Sequence, residues 1–148
     1  MTGTPTLEDR AEILDIIHIW TDIIDRGRWS DYAALYTDDA TIDFSSIGST
    51  GTDPSSHLEF LEDVAWPAVK AQQHLVGNTI FESYSSDSAA TRTTCLASVV
   101  MPDGVLSTIA VWYLDDWAKV DGRWLIKRRV CEKNFISPEN WVNPAQAK

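Results

Sequence analysis

One carboxylate and one imidazole stand in contexts that suit acid–base chemistry. Asp25 closes a long amphipathic stretch, in IIDRGRW, and His74 opens a strand-like stretch, in QQHLVGN. A carboxylate bonded to one ring nitrogen of a histidine holds the imidazole in one tautomer. It also stabilises the imidazolium that forms when the other nitrogen takes a proton. Inside an apolar pocket such a pair is a general base. Plainer readings stand beside this one. A carboxylate at a helix C-terminus opposes the helix dipole, so Asp25 needs solvent or a partner, and Arg26 and Arg28 are near in sequence. His74 also reads as an ordinary hydrogen-bonded residue at a strand end.

The elements that would position the pair follow from periodicity. Ile13, Ile16, Ile17, Trp20, Ile23 and Ile24 recur at three- and four-residue spacing. They predict a helix from Leu7 to Arg26, opened by the capping pattern Thr6-x-x-Asp9 and stopped by Gly27. A short helix is expected from Ser30 to Tyr36, a turn at Asp38 and Asp39, a short strand from Thr41 to Phe44, and a loop over residues 45–53. Asp53 then caps another helix, with Pro54 in its first turn, running to about Trp66 where Pro67 interrupts it. The period next changes to two. Strands are expected over about 74–84, 88–101, 105–119 and 123–135, separated by the turn sequences Ser85-Ser86-Asp87, Pro102-Asp103-Gly104 and Asp121-Gly122. The tail with Pro138 and Pro144 reads as irregular, with Trp141 as an anchor. Helices followed by a meander make an α+β fold. Long strands twist, so the expected form is a cone-like curved antiparallel sheet wrapped around the N-terminal helices and enclosing a pocket.

The bulk properties narrow the partners. With 148 residues, 44% of them hydrophobic and seven tryptophans, the chain reads as one folded domain spanning 1–148. A net charge of −10 disfavours nucleic acid and anionic membrane surfaces. No apolar run approaches a bilayer span and no signal-peptide layout is present, so a cytoplasmic protein is expected. There is no glycine-rich phosphate loop, G-x-S-x-G elbow, HExxH or Cys/His cluster, so no cofactor and no metal is expected. Cys95 and Cys131 fall on different strands and read as buried free thiols.

Other polar and aromatic residues carry weaker signals. His18 is expected at the margin of the first helix, and His57 exposed in the first turn of the third. Alternation places Trp124, Ile126, Arg128 and Val130 on one face of the last strand and Leu125, Lys127, Arg129 and Cys131 on the other. Phe44, Trp66, Asn78, Trp112 and Tyr113 are candidates for pocket lining or for ordinary core. Asp115 and Asp116 read as solvated surface.

The order of elements, with DRGRW around Asp25, YTDDATIDF from Tyr36 to Phe44, QHLVGN around His74 and DGRWLIKRR from Asp121 to Arg129, resembles the SnoaL-like branch of the nuclear transport factor 2-like superfamily. Within it, the chain is similar to the scytalone dehydratase and lindane dehydrochlorinase type. The resemblance implies an Asp25–His74 dyad that removes a proton while a leaving group departs, with Arg129 on the last strand stabilising negative charge on the substrate. One position departs from the pattern: Trp20 stands where the dehydrochlorinase has a lysine. That implies an aromatic wall rather than cationic help for a departing chloride. The resemblance also implies a homo-oligomer, trimer or dimer.

The expected function is therefore a lyase of dehydratase type that needs no cofactor. Its substrate is a small to medium, largely apolar molecule held by Trp20, Phe44, Trp66, Asn78 and Tyr113. A double-bond isomerase or polyketide-type cyclase uses the same base. A non-catalytic ligand-binding or assembly module is the alternative from another class.

Overall fold

Thr6 and Gly27 bracket the first helix through the backbone groups a helix leaves unpaired. The computed structural model describes residues 3–138. Helix α1 spans Leu7–Arg26, and the Thr6 hydroxyl accepts the Asp9 N–H at 3.1 Å. Gly27 ends it in the left-handed region, at φ 64°. A side chain there would also lie 3.2 Å from the Trp66 ring, a tight contact, so both backbone and space favour glycine. The apolar stripe of α1, including Ile13, Ile17, Trp20 and Ile23, is buried against the sheet.

Asp9 pins the start of α1 to three strands. Its carboxylate accepts from the Lys119 ammonium at 2.7 Å, the Trp124 indole at 2.8 Å and the Tyr84 hydroxyl. The bonds from Lys119, Tyr84 and Trp124 hold its pKa well below the ordinary 3.8. The stabilisation is therefore complete above the unfolded-state value of 3.8 and is lost as pH falls through the depressed folded value. Urea unfolding should show Asp9→Asn less stable than wild type by about 2 kcal/mol near neutral pH. That gap should narrow as the solution is acidified below the ordinary carboxylate range. A gap independent of pH would assign the effect to packing instead.

Two 3₁₀ turns, Trp29–Asp31 and Ala33–Leu35, follow where one short helix was expected. Strand β1 then runs Tyr36–Asp43, so Asp38 and Asp39 lie in a strand rather than a turn. They occupy an irregular stretch where the pairing of β1 shifts between Tyr36 and Thr41, and both are exposed. Tertiary pairing has overridden turn propensity here. A 3₁₀ turn, Ser45–Ile47, leads to α2, Pro54–Phe60, which is capped by Asp53 and Ser56 and continues as a π turn, Leu61–Ala65.

Four long strands complete the chain: β2 Ala71–Tyr84, β3 Ser88–Val100, β4 Leu106–Val120 and β5 Arg123–Ser137. They pair as the expected antiparallel meander, and β1 joins β5 in parallel, giving a mixed sheet of order β1-β5-β4-β3-β2. Asp121 and Gly122 both have positive φ, 50° and 78°, which suits the tight β4–β5 hairpin. β5 runs two residues past Phe135. Trp141 and Pro144 lie outside the described residues. No helix among the described residues is long and apolar enough to cross a membrane.

Among the register shifts in these strands, two reorient residues expected at the site. In β2, Val76 pairs with Cys95 and Thr79 with Thr93, so Gly77 and Asn78 together oppose one residue. In β5, Ile126 pairs with Trp117 and Arg128 with Asp116, which leaves Lys127 without an opposite. Each extra residue reverses the alternation beyond it. Asn78, expected at the pocket, is exposed for this reason. Arg129, expected on the face opposite Trp124 and Ile126, is fully buried as they are.

Candidate active site

The end of α1 meets the start of β2. The Gln72 side-chain amide donates to the Ile24 carbonyl at 3.0 Å and ties the two elements together. At the next position, the Asp25 carboxylate receives two bonds from the same residue. The His74 backbone N–H donates to Oδ2 at 2.7 Å, and His74 Nδ1 lies 2.6 Å from Oδ1. A carboxylate only accepts, so Nδ1 carries a proton and, in the neutral ring, Nε2 keeps its lone pair. Both side chains are mostly buried. Arg26 and Arg28 do not take Asp25; they pair with Asp22, at 2.7 and 3.0 Å.

His74 lines a cavity of about 110 Å³ between the sheet and the helices. Trp20, Phe44 and Tyr113 form an aromatic wall, with Ile24, Val99 and Val111 adding apolar surface. Trp20 stands edge-on to the His74 ring, with centroids 6.2 Å apart. A wider, more polar depression of about 300 Å³ adjoins it, sharing Val69 and Gln72, and this one is lined by Asp25, Trp66 and Lys70. The smaller space is the better candidate for chemistry, because His74 opens onto it and apolar walls strengthen every charge interaction inside. Trp66 belongs to the outer depression and packs edge-on against Trp29.

Arg129 lies behind the wall. Its Nε and Nη2 donate to the two oxygens of Asp115 at 2.7 and 2.8 Å, and both side chains are completely buried. The guanidinium carbon sits 4.6 Å from the Trp20 ring centre and 4.8 Å from that of Tyr113. Burial opposes its charge, but the Asp115 carboxylate more than offsets this and the net shift is upward. Asp115, expected at the surface, is buried because alternation sets it between Tyr113 and Trp117 on the inner face of β4. Arg129 does not line the cavity.

His57 is a further residue that sequence reasoning misplaced. It was expected to be exposed but is completely buried, lines the cavity and packs at a tilt against Phe44 with centroids 4.6 Å apart. The loop before α2 closes over the helix start. A side chain at Gly51 would fall 2.7 Å from the His57 backbone nitrogen. The available signal was the spacing of His57, Phe60 and Leu61, one face of a helix. His18 is exposed on α1, and Cys95 and Cys131 are buried free thiols whose pKa values burial pushes up to about 11 and about 12. Among the described residues no group of three or more His, Cys, Asp or Glu is arranged to hold a metal ion.

Comparison with known proteins agrees with this architecture. The family model for the SnoaL-like domain matches residues 5–130. A functionally uncharacterised protein of Mycobacterium tuberculosis is 26% identical over 137 residues, which cover 91% of this chain and 92% of that one. Among solved structures, a hexachlorocyclohexane dehydrochlorinase of Novosphingobium barchaimii superposes with a TM-score of 0.79 at 23% identity, covering 93% of this chain and 94% of that one. A candidate scytalone dehydratase of Novosphingobium aromaticivorans gives 0.79 at 20% identity, with 88% and 87% covered. At such identities the structural likeness speaks for the fold alone. The family match, the helices before a curved open sheet, and the sequence markers around Asp25, His74 and Arg129 lead to one assignment: the chain belongs to the SnoaL-like family, with a nuclear transport factor 2-like fold.

Proposed function

We propose that this protein is a cofactor-independent lyase of dehydratase type. His74 Nε2 takes a proton from a carbon next to a carbonyl in a small, largely apolar substrate. Asp25 fixes the tautomer and stabilises the imidazolium. The β-hydroxyl then leaves as water, carrying the proton back from His74. The observation that carries this reading is the bond that His74 Nδ1–H donates to Asp25, which leaves Nε2 of the neutral ring as the base, on a histidine that lines an apolar cavity. Arg129 acts through the wall as a positioning residue, holding Trp20 and Tyr113 by their ring faces. The test is a screen of β-hydroxy ketones, followed by mass and by deuterium uptake at the α-carbon from heavy water. Loss of water supports elimination. Uptake with mass otherwise conserved turns the reading to an isomerase or cyclase with the same base. Neither event in any substrate of a size the cavity admits would leave a binding module.

The outer face of the sheet suits self-association. Leu75 pairs with Leu96, Leu96 with Ala110 and Ala110 with Phe135, giving an apolar row across four strands. Leu75 is 69% exposed and Phe135 51%. A second copy, in a dimer or trimer, would cover it. Leu75→Glu combined with Phe135→Glu should lower the mass seen by light scattering to that of one chain. An unchanged mass would remove this face from the interface.

A further inference from the structure

Only one nitrogen of His57 is paired. Nδ1 lies 2.7 Å from the Tyr32 hydroxyl, whereas Nε2 is buried with no hydrogen-bond partner among the described residues. A chain of hydrogen bonds decides where the ring proton sits. The Trp20 indole can only donate, and it donates to the Tyr36 hydroxyl at 2.6 Å. Tyr36 donates in turn to Tyr32 at 2.9 Å. Tyr32 then donates to Nδ1, so the proton of the neutral ring is on Nε2. Burial, with the Arg129 charge nearby, pushes the pKa down to about 4, which keeps the ring neutral around pH 7. A buried donor without an acceptor is destabilising and calls for an explanation. His57 lines the same cavity as His74, from a different element. An acceptor on the bound molecule supplies that explanation.

We propose that the Nε2–H of His57 is the donor for the substrate oxygen that gathers negative charge during proton transfer, which makes His57 a catalytic residue. This rests on the reading of Asp25–His74 as the base. When His74 takes the α-proton, the C–H electron pair forms the new C–C π bond and the carbonyl π pair moves onto oxygen. The resulting enolate oxygen accepts the His57 hydrogen bond without taking the proton. As the carbonyl re-forms, the C–C π pair shifts to the β-carbon and expels hydroxide, which takes the proton from His74 and leaves as water. A fixed neutral donor at a developing oxyanion lowers the barrier because it needs no reorganisation during the reaction. Neutral imidazole is suited to this role when its environment keeps it unprotonated. Arg129 also has a buried nitrogen without a partner among the described residues, Nη1, but it does not line the cavity: Nε and Nη2 hold it on Asp115, and it stands behind Trp20 and Tyr113.

The test uses 4-nitrophenolate as an enolate mimic and nitrobenzene as the same ring without the oxygen. Wild type should bind the phenolate at least about tenfold more tightly. Proton–nitrogen correlation spectra should show the His57 proton on Nε2 and move that resonance downfield on addition of the phenolate. His57→Leu should lose the preference and keep its nitrobenzene affinity, and His57→Gln, which retains an N–H, should recover part of it. A preference that survives in His57→Leu, no preference in wild type, or a ring proton on Nδ1 would overturn the inference. If His57→Leu does not fold, the wild-type spectra decide. His74→Ala separates the two readings. It should keep the phenolate preference while losing deuterium exchange. Phenolate preference in a wild type that exchanges no α-proton would sink the base and leave the donor standing.

Discussion

Replacing Asp25 with asparagine should lower the rate of α-proton removal by about 10²–10⁴-fold while leaving KM nearly unchanged. The geometry explains why so small a change has so large an effect. Asp25 presents two acceptor oxygens to two donors of one residue, the His74 backbone N–H and Nδ1–H. Asparagine has one oxygen and one amide group. If its oxygen takes the backbone N–H, the amide faces Nδ1 and donates to it. The ring proton then moves to Nε2, and the base has lost its lone pair. If the oxygen faces Nδ1, two donors meet at the backbone N–H. Either arrangement disarms the imidazole. Affinity should persist because Asp25 does not line the inner cavity. His74→Ala should remove at least as much, and its fold should survive because the strand pairing of β2 and the backbone N–H bond to Asp25 do not need the imidazole. The measurement is deuterium uptake and turnover for both variants, with circular dichroism to confirm folding. Turnover near wild type in either one would end the dyad assignment.

Much of the frame that makes this geometry was legible, for local reasons. Thr6, Gly27, Asp53-Pro54 and Asp121-Gly122 are punctuation whose physics acts within a few residues, and the elements they bound appear close to where periodicity put them. What was hidden depends on pairing partners far away in sequence. Gly77 inside a strand pattern was a local hint of a bulge that the strict alternation passed over, and nothing local marked the extra residue at Lys127, yet these turn Asn78 out and Arg129 in. The parallel docking of β1 on β5 similarly drew Asp38 and Asp39 into a strand. His57 was hidden by a rule that is right on average: a polar residue in the first turn of a helix faces water. Here the loop through Gly51 closes over that turn and Tyr32 supplies a buried hydrogen bond. Asp25 and His74 drew attention through residue type and context, and the distance between them needed the fold.

Arg129→Met should destabilise the protein by about 3–5 kcal/mol, because it strands the Asp115 carboxylate in the core without its partner. Asp115 is 2% exposed and Arg129 0%, so neither charge has solvent to fall back on. The double variant Arg129→Met with Asp115→Leu should recover most of that loss. Two well-packed apolar groups can replace a buried ion pair at little net cost, since desolvation of the charges nearly offsets their attraction. Urea unfolding of the two single variants and the double variant measures this directly, and additive losses would show that the two residues act independently. The double variant also separates framing from electrostatics. In it the positive charge behind Trp20 and Tyr113 is gone but the wall is still packed. A guanidinium paired with a carboxylate projects a weakened field into the cavity, felt at His57 but reduced by Asp115, so the expected fall in kcat is modest, about tenfold or less. A larger fall in a stable double variant would mean that the charge reaches the reacting oxygen through the rings. No fall at all would make Arg129 purely a support for the two aromatic side chains it stacks upon.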